Sequence, residues 1–172
     1  MMACAKLLLG LLLSLFGFIF FQPRFVQAQA SFKQQFGSWL VFADKTSLGT
    51  EICFAVSEPT EKNRPDQYRS PPYIIFTKIS KNNYEFMASS GYQYSSPPVE
   101  LDIDGLYKFK LAPVEMQAWP FNELTDKEII KYAPKGKEMI IRSFNSRSQE
   151  VIDKYTLDGL FKALNHIEEA CK

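Results

Sequence analysis

Two cysteines constrain this chain more than any other feature. Cys53 lies inside the apolar run EICFAV, and Cys171 is one residue from the end of the 172-residue chain. A third, Cys4, falls in a stretch that reads as a leader. Lys6 gives a short basic start, Leu7 to Phe21 is an apolar run of fifteen residues, Pro23 breaks any helix, and Ala28-Gln29-Ala30 supplies a small-x-small processing site. The predicted leader is 1–30, with cleavage before Ser31. The alternative is an uncleaved anchor, for which the run falls short of the ~20 apolar residues that span a bilayer core. Cys4 precedes the run and leaves with the leader.

Export places Cys53 and Cys171 in an oxidising compartment, where two cysteines most simply pair with each other. The alternative is two unpaired buried thiols. A bond would close nearly the whole mature domain, 31–172, into one loop. The chain-entropy argument values such a closure at up to about 4–5 kcal/mol.

Removing 1–30 deletes Lys6 and Arg24 and no acid, which leaves 18 basic and 19 acidic residues, a net charge of −1. A near-neutral chain without a basic run argues against nucleic acid and anionic lipid as partners. The mature length suits one domain.

Strand signals dominate that domain. Phe36–Phe42 (FGSWLVF), Glu51–Val56, Pro72–Ile79 (PYIIFTKI) and Tyr84–Ser89 are apolar or β-branched runs spaced as successive antiparallel strands. Ser57–Pro71 is polar, holds Pro59 and Pro65, and reads as an exposed loop able to carry a contact surface. Two Ser-Pro-Pro stretches, at 70–72 and 96–98, read as stiff entries into strands.

Val99–Leu111 (VELDIDGLYKFKL) alternates most cleanly. A two-residue turn at Asp104-Gly105 would set Asp102 against Tyr107. A three-residue loop instead pairs Ile103 with Tyr107, Asp102 with Lys108 and Glu100 with Lys110, which satisfies burial and charge together. The longer loop is expected, with Tyr107, Phe109 and Leu111 on the buried face and the carboxylates as surface partners of lysines. Thr125-Asp126-Lys127-Glu128 reads as a capping box opening a short helix that Pro134 and Gly136 stop. Glu138–Phe144 and Glu150–Tyr155 read as two more strands. Thr156 then caps a last helix from Leu157 to about Ala170, whose stripe Leu157, Leu160, Phe161, Leu164, Ile167 aims Cys171 inward.

No catalytic constellation emerges. The one histidine, His166, is predicted on the solvent side of the last helix, away from the partners that a triad or a histidine metal site needs. Neither mature cysteine has zinc-ligand or C-x-x-C spacing, and the scattered glycines form no phosphate loop. Aromatics, 15% of the chain, could line a groove for sugar or lipid. Core filling by residues such as Trp39 and Trp119 is the simpler account. Ser143, Ser146 and Ser148 around Arg142 and Arg147 read as turn residues, not an anion site. The expectation is therefore no catalysis, cofactor or metal.

The ordered set FGSWLVF, CFAVSEP, SPPYIIFTKI, GYQY, the AWP at Trp119 and IDKYTLDGLFKALNHIEEAC resembles the bacterial invasion-associated locus B protein family over nearly all of 36–171. The resemblance implies an exported, immunoglobulin-like antiparallel β-sandwich with no established enzymatic activity and a role in host-cell invasion. Family members associated with invasion carry further cysteines, one just after the Trp-bearing strand, where this chain has Phe42-Ala43. The combined expectation is an all-β sandwich with a short helix and a C-terminal amphipathic helix, exported to the periplasm or the cell surface. It would bind an unidentified protein partner at the envelope or host surface. The alternative is a periplasmic small-ligand carrier with an aromatic-lined cavity between the sheets.

Overall fold

Turn residues decide where the apolar runs break into strands. In the computed structural model, which describes residues 30–46, 48–64, 69–95 and 97–171, the elements are β1 (Ser31–Phe36), β2 (Trp39–Lys45), β3 (Glu51–Ser57), β4 (Glu61–Lys62), β5 (Tyr73–Ser80), β6 (Asn83–Ser89), β7 (Val99–Ile103), β8 (Tyr107–Val114), β9 (Gln117–Pro120), α1 (Glu123–Tyr132), β10 (Glu138–Phe144), β11 (Glu150–Thr156) and α2 (Leu160–Ala170). A single 3-10 turn, Ala133–Lys135, follows α1. Residues 1–29 of the predicted leader, Cys4 included, lie outside the described residues. Among those residues no helix is long and apolar enough to cross a membrane.

All the strands join one antiparallel sheet in the order β1-β2-β3-β5-β6-β9-β8-β7-β10-β11-β4. Two overlapping Greek keys interrupt the meander: the β7-β8-β9 hairpins turn back so that β9 meets β6, and β10 returns beside β7. Inner residues of both halves of this sheet share one core. Trp39, Val41, Ala55, Ile74, Phe76 and Phe86 come from one half, and Leu101, Ile103, Leu111, Met139, Ile141 and Tyr155 from the other. The Trp39 indole N–H donates to the Thr156 carbonyl at 3.2 Å, tying β2 to the end of β11. The protein is an all-β, sandwich-like fold with short helices, as the sequence led us to expect.

The β7–β8 hairpin has the expected register: Ile103 opposes Tyr107, Asp102 opposes Lys108 and Glu100 opposes Lys110. Asp104 and Gly105 take positive φ in its three-residue loop. Pro71-Pro72 and Pro97-Pro98 immediately precede β5 and β7. Tyr107 departs from expectation. It is 39% exposed and stacks on Tyr132 of α1, with centroids 3.7 Å apart, because the chain has reached the rim of the core there.

Three other readings are corrected. FGSWLVF is not one strand: Gly37 (φ 58°) and Ser38 turn the chain between β1 and β2. Helix α1 is capped by Asn122, three residues before Thr125; the Asn122 carboxamide oxygen accepts from the Thr125 backbone N–H at 3.0 Å. Helix α2 starts at Leu160, with Gly159 as its N-cap, so Thr156 is not the cap and Phe161 points outward, 58% exposed.

Gly159 explains that late start. It sits at φ 94°, and a Cβ there would come within 2.1 Å of the Phe36 carbonyl oxygen. The β11–α2 turn therefore lies directly on the β1–β2 turn, which only glycine allows. From there α2 lays Leu160, Ala163, Leu164 and Ile167 over β1, β2 and β3, whose inner residues Ala43, Cys53 and Ala55 are small enough to admit a helix. At its far end Cys171 bonds to Cys53, with Cα atoms 6.2 Å apart. This is the expected pairing, made between two residues that are almost wholly buried.

Candidate interaction surfaces

Around the disulfide, polar groups hold the end of α2 in place. Lys78 Nζ donates to the Cys171 carbonyl at 2.6 Å and pairs with Glu168 at 3.0 Å. Glu168 also accepts from the Tyr84 hydroxyl at 2.8 Å and from the Asn82 backbone N–H at 2.9 Å. Burial alone would raise the Glu168 pKa, but these three donors outweigh it and hold the carboxyl below its ordinary range. A cleft of about 500 Å³ opens here, lined by Glu51, Lys78, Lys81, Asn82 and Glu168. Glu51, Cys53 and Cys171 lie close enough to share an ion, but both sulfurs are in the disulfide, so no thiolate pair is available.

The segment Ser57–Pro71 is exposed as expected at Glu58 and from Thr60 to Arg64, but it is not unstructured. It crosses from one half of the sheet to the other, where β4 pairs with β11 through Lys62–Asp153 and Glu61–Lys154. The Thr60 and Asn63 backbone N–H groups donate to the carbonyls of Lys154 and Ile152. Arg69 anchors the return. Its guanidinium forms two hydrogen bonds with the Asp153 carboxylate, at 2.9 and 2.6 Å, and both side chains are about 5% exposed, at 5% and 4%. A third bond reaches the Ser90 carbonyl at 3.3 Å, and Tyr92 lies beneath the guanidinium at 5.9 Å. Burial alone would lower the Arg69 pKa; the hydrogen bond and charge of Asp153 prevail and raise it. Residues 65–68 lie outside the described residues.

Beside this pair, the Tyr92 hydroxyl meets Ser143 Oγ at 2.6 Å, and burial pushes its pKa up to about 12. Ser143 is thus a buried strand residue of β10 and not part of the turn. Tyr94 and Tyr155 are also raised, chiefly by burial. Every phenol here is held neutral at physiological pH. His166 is half-buried, not on the open solvent side, because its ring packs on Phe36 at 5.5 Å.

The two outer faces of the sheet differ sharply. Outside β7, β8, β10 and β11 stand Glu100, Asp102, Lys108, Lys110, Arg142, Glu150 and Lys154, interspersed with Ile140, Phe144 and Ile152, with ion pairs such as Arg142–Glu150 at 2.9 Å and Lys154–Glu61 at 2.9 Å. A groove of about 320 Å³ on this side is lined largely by those charges. Outside β2, β3, β5 and β6 apolar residues predominate, with Asp44, Thr77, Glu85 and Ser89 among them. One row runs Leu40, Val56, Ile75 towards Met87, and its neighbour runs Phe32, Phe42, Phe54 to Thr77. Phe32 meets Phe42 edge-on and Phe42 stacks on Phe54, each at 5.7 Å between centroids. Trp119 of β9, adjacent to the Ala88–Ala118 pair, extends the first row. None of these outer residues belongs to the inner core cluster, although Met87 is itself buried and Leu40, Phe42, Phe54, Val56 and Ile75 are half-buried by their row neighbours. Both helices pack on the inner side, since Ile129, Leu160 and Ile167 do belong to it. An antiparallel sheet normally covers one face and leaves the other polar. Here the second face is apolar as well. Apolar runs lacking alternation, such as WLVF and YIIF, were its signal in the sequence.

Comparison of the chain with protein-family models, with curated proteins and with solved structures finds no match in any of the three.

Proposed function

We propose that this protein is an exported envelope domain that works by binding, using the apolar outer face of β2, β3, β5 and β6 on a disulfide-closed scaffold. The observation that carries this reading is the contrast between the two outer faces. A fold that loads one outer face with paired charges and the other with aromatic and aliphatic rows has the pattern of a surface meant to be covered. The buried Cys53–Cys171 bond supports export, because such bonds persist in oxidising compartments. The leader 1–30, cleaved before Ser31, and the resemblance to the invasion-associated locus B family support an envelope location and a part in host-cell association.

The carrier alternative needs an aromatic-lined cavity between the halves of the sheet. That space is filled by Trp39, Phe76, Phe86, Leu101, Leu111 and Met139, all fully buried, which favours the binding reading. A photo-cross-linking side chain replacing Phe54 tests it in intact cells, with Lys154 on the charged face as control. The expected result is a discrete cross-linked product from position 54 and none from 154. Absence of any product from 54, with the protein exported and folded, refutes the reading.

A further inference from the structure

We infer that the occupant of the apolar outer face is a second copy of this chain, packed face to face about a two-fold axis. The inference rests on the binding reading above and names its partner. Three observations select a second copy.

The first is extent. The strands β2, β3, β5, β6 and β9 lie side by side. At ~4.8 Å per strand they span about 24 Å, and a seven-residue strand such as β2 or β3 adds about 24 Å in the other direction. With β9 only four residues long, two such faces cover on the order of 1,000 Å² together, at the small end for specific complexes.

The second is chemistry. The face presents Leu40, Phe42, Phe54, Val56 and Ile75, with charge confined to its margins at Asp44 and Glu85. A charged partner would be desolvated there without compensation. The opposite outer face of the same molecule carries the paired charges and is a poor complement, which disfavours a head-to-tail contact. An apolar sheet face is complementary to itself, as an isologous contact requires. Two sheets stacked about 10 Å apart are the ordinary way to cover such faces. A mature net charge of −1 adds little repulsion between copies.

The third is the edge. Copies could instead join through β1, but that strand has an irregular register between Phe32 and Gln34 and carries Lys33, paired with Glu51 at 3.8 Å. A bulge and a lysine are the usual devices against edge-to-edge pairing. They leave the face as the route of association.

The test is the solution mass of the disulfide-bonded mature protein, by sedimentation equilibrium across micromolar concentrations. The wild type is expected at twice the monomer mass. Val56→Lys and Ile75→Lys should raise the dimer dissociation constant at least 100-fold. Leu40→Ser and Phe54→Ser give a milder pair in case a lysine variant misfolds, and Lys154→Glu on the charged face should leave the dimer intact. Near-ultraviolet circular dichroism checks folding. A wild-type monomer at every concentration, or full dimerisation by folded Val56→Lys, overturns the inference. A wild-type monomer that still gives a cross-linked product at position 54, of a mass other than two copies, sinks the second copy while preserving the binding reading. A monomer with no product at 54 sinks both.

Discussion

Replacing Asp153 by Ala should be among the most damaging single substitutions in the molecule. It removes two hydrogen bonds, of 2.9 and 2.6 Å, from an Arg69 guanidinium that is 5% exposed, and leaves only the 3.3 Å bond to the Ser90 carbonyl. A buried charge stripped of its partner costs about 3–5 kcal/mol. The total stability of a domain this size is ~5–15 kcal/mol. The expected fall in Tm is about 10–15 °C. Arg69→Met should cost a similar amount by stranding the carboxylate. The double variant Arg69→Met/Asp153→Leu carries no buried charge and should cost far less than the sum, within about 1–2 kcal/mol of the wild type. Urea denaturation of the wild type, Arg69→Met, Asp153→Leu and the double variant, compared by midpoint and slope, completes the cycle. Single costs below about 1 kcal/mol that simply add would refute the claim that this pair pins the crossing segment.

Three further outcomes are expected. Cys53→Ala/Cys171→Ala should lose up to about 5 kcal/mol, because the bond joins positions 118 apart, and chemical denaturation of oxidised and variant protein measures the difference. Gly159→Ala should destabilise by about 2 kcal/mol or more, as its Cβ would fall 2.1 Å from the Phe36 carbonyl at a φ of 94°; thermal melting checks it, and an unchanged Tm contradicts the close approach. Burial raises the Asp126 pKa from 3.8 to about 6 against the opposing hydrogen bond from the Phe86 backbone N–H. The folded protein thus keeps a proton that the unfolded chain has released. The resulting stability is complete below about pH 4 and is lost as pH rises through about 6. For a half-buried carboxyl this amounts to on the order of 1 kcal/mol, and Asp126→Asn should flatten the stability profile in that window.

The parts of this fold that were legible in the sequence are those where a wrong choice would bury a charge or expose an apolar row. In Val99–Leu111 a one-residue error would set Asp102 against Tyr107, so the hairpin register could be derived. The α2 stripe likewise fixed the direction of Cys171. Strand β4 was illegible because two polar residues, Glu61 and Lys62, carry no pattern of their own; their conformation is imposed by the free edge of β11. The same holds for Arg69, whose role depends on an aspartate 84 positions away. For α1, both Asn122 and Thr125 are good caps, and the Thr-x-x-Glu spacing pointed to the wrong one. The apolar outer face was visible as runs without alternation. Those runs read equally well as ordinary strands until the sheet order showed which residues look outward.

Intact mass of the protein recovered from the cell envelope, alkylated without and then with reductant, addresses both the export and the closure on which the rest depends. The expected species begins at Ser31, takes up no alkyl group as isolated and takes up two after reduction under denaturing conditions. A chain that retains Met1, or one that labels at both Cys53 and Cys171 before reduction, contradicts the account.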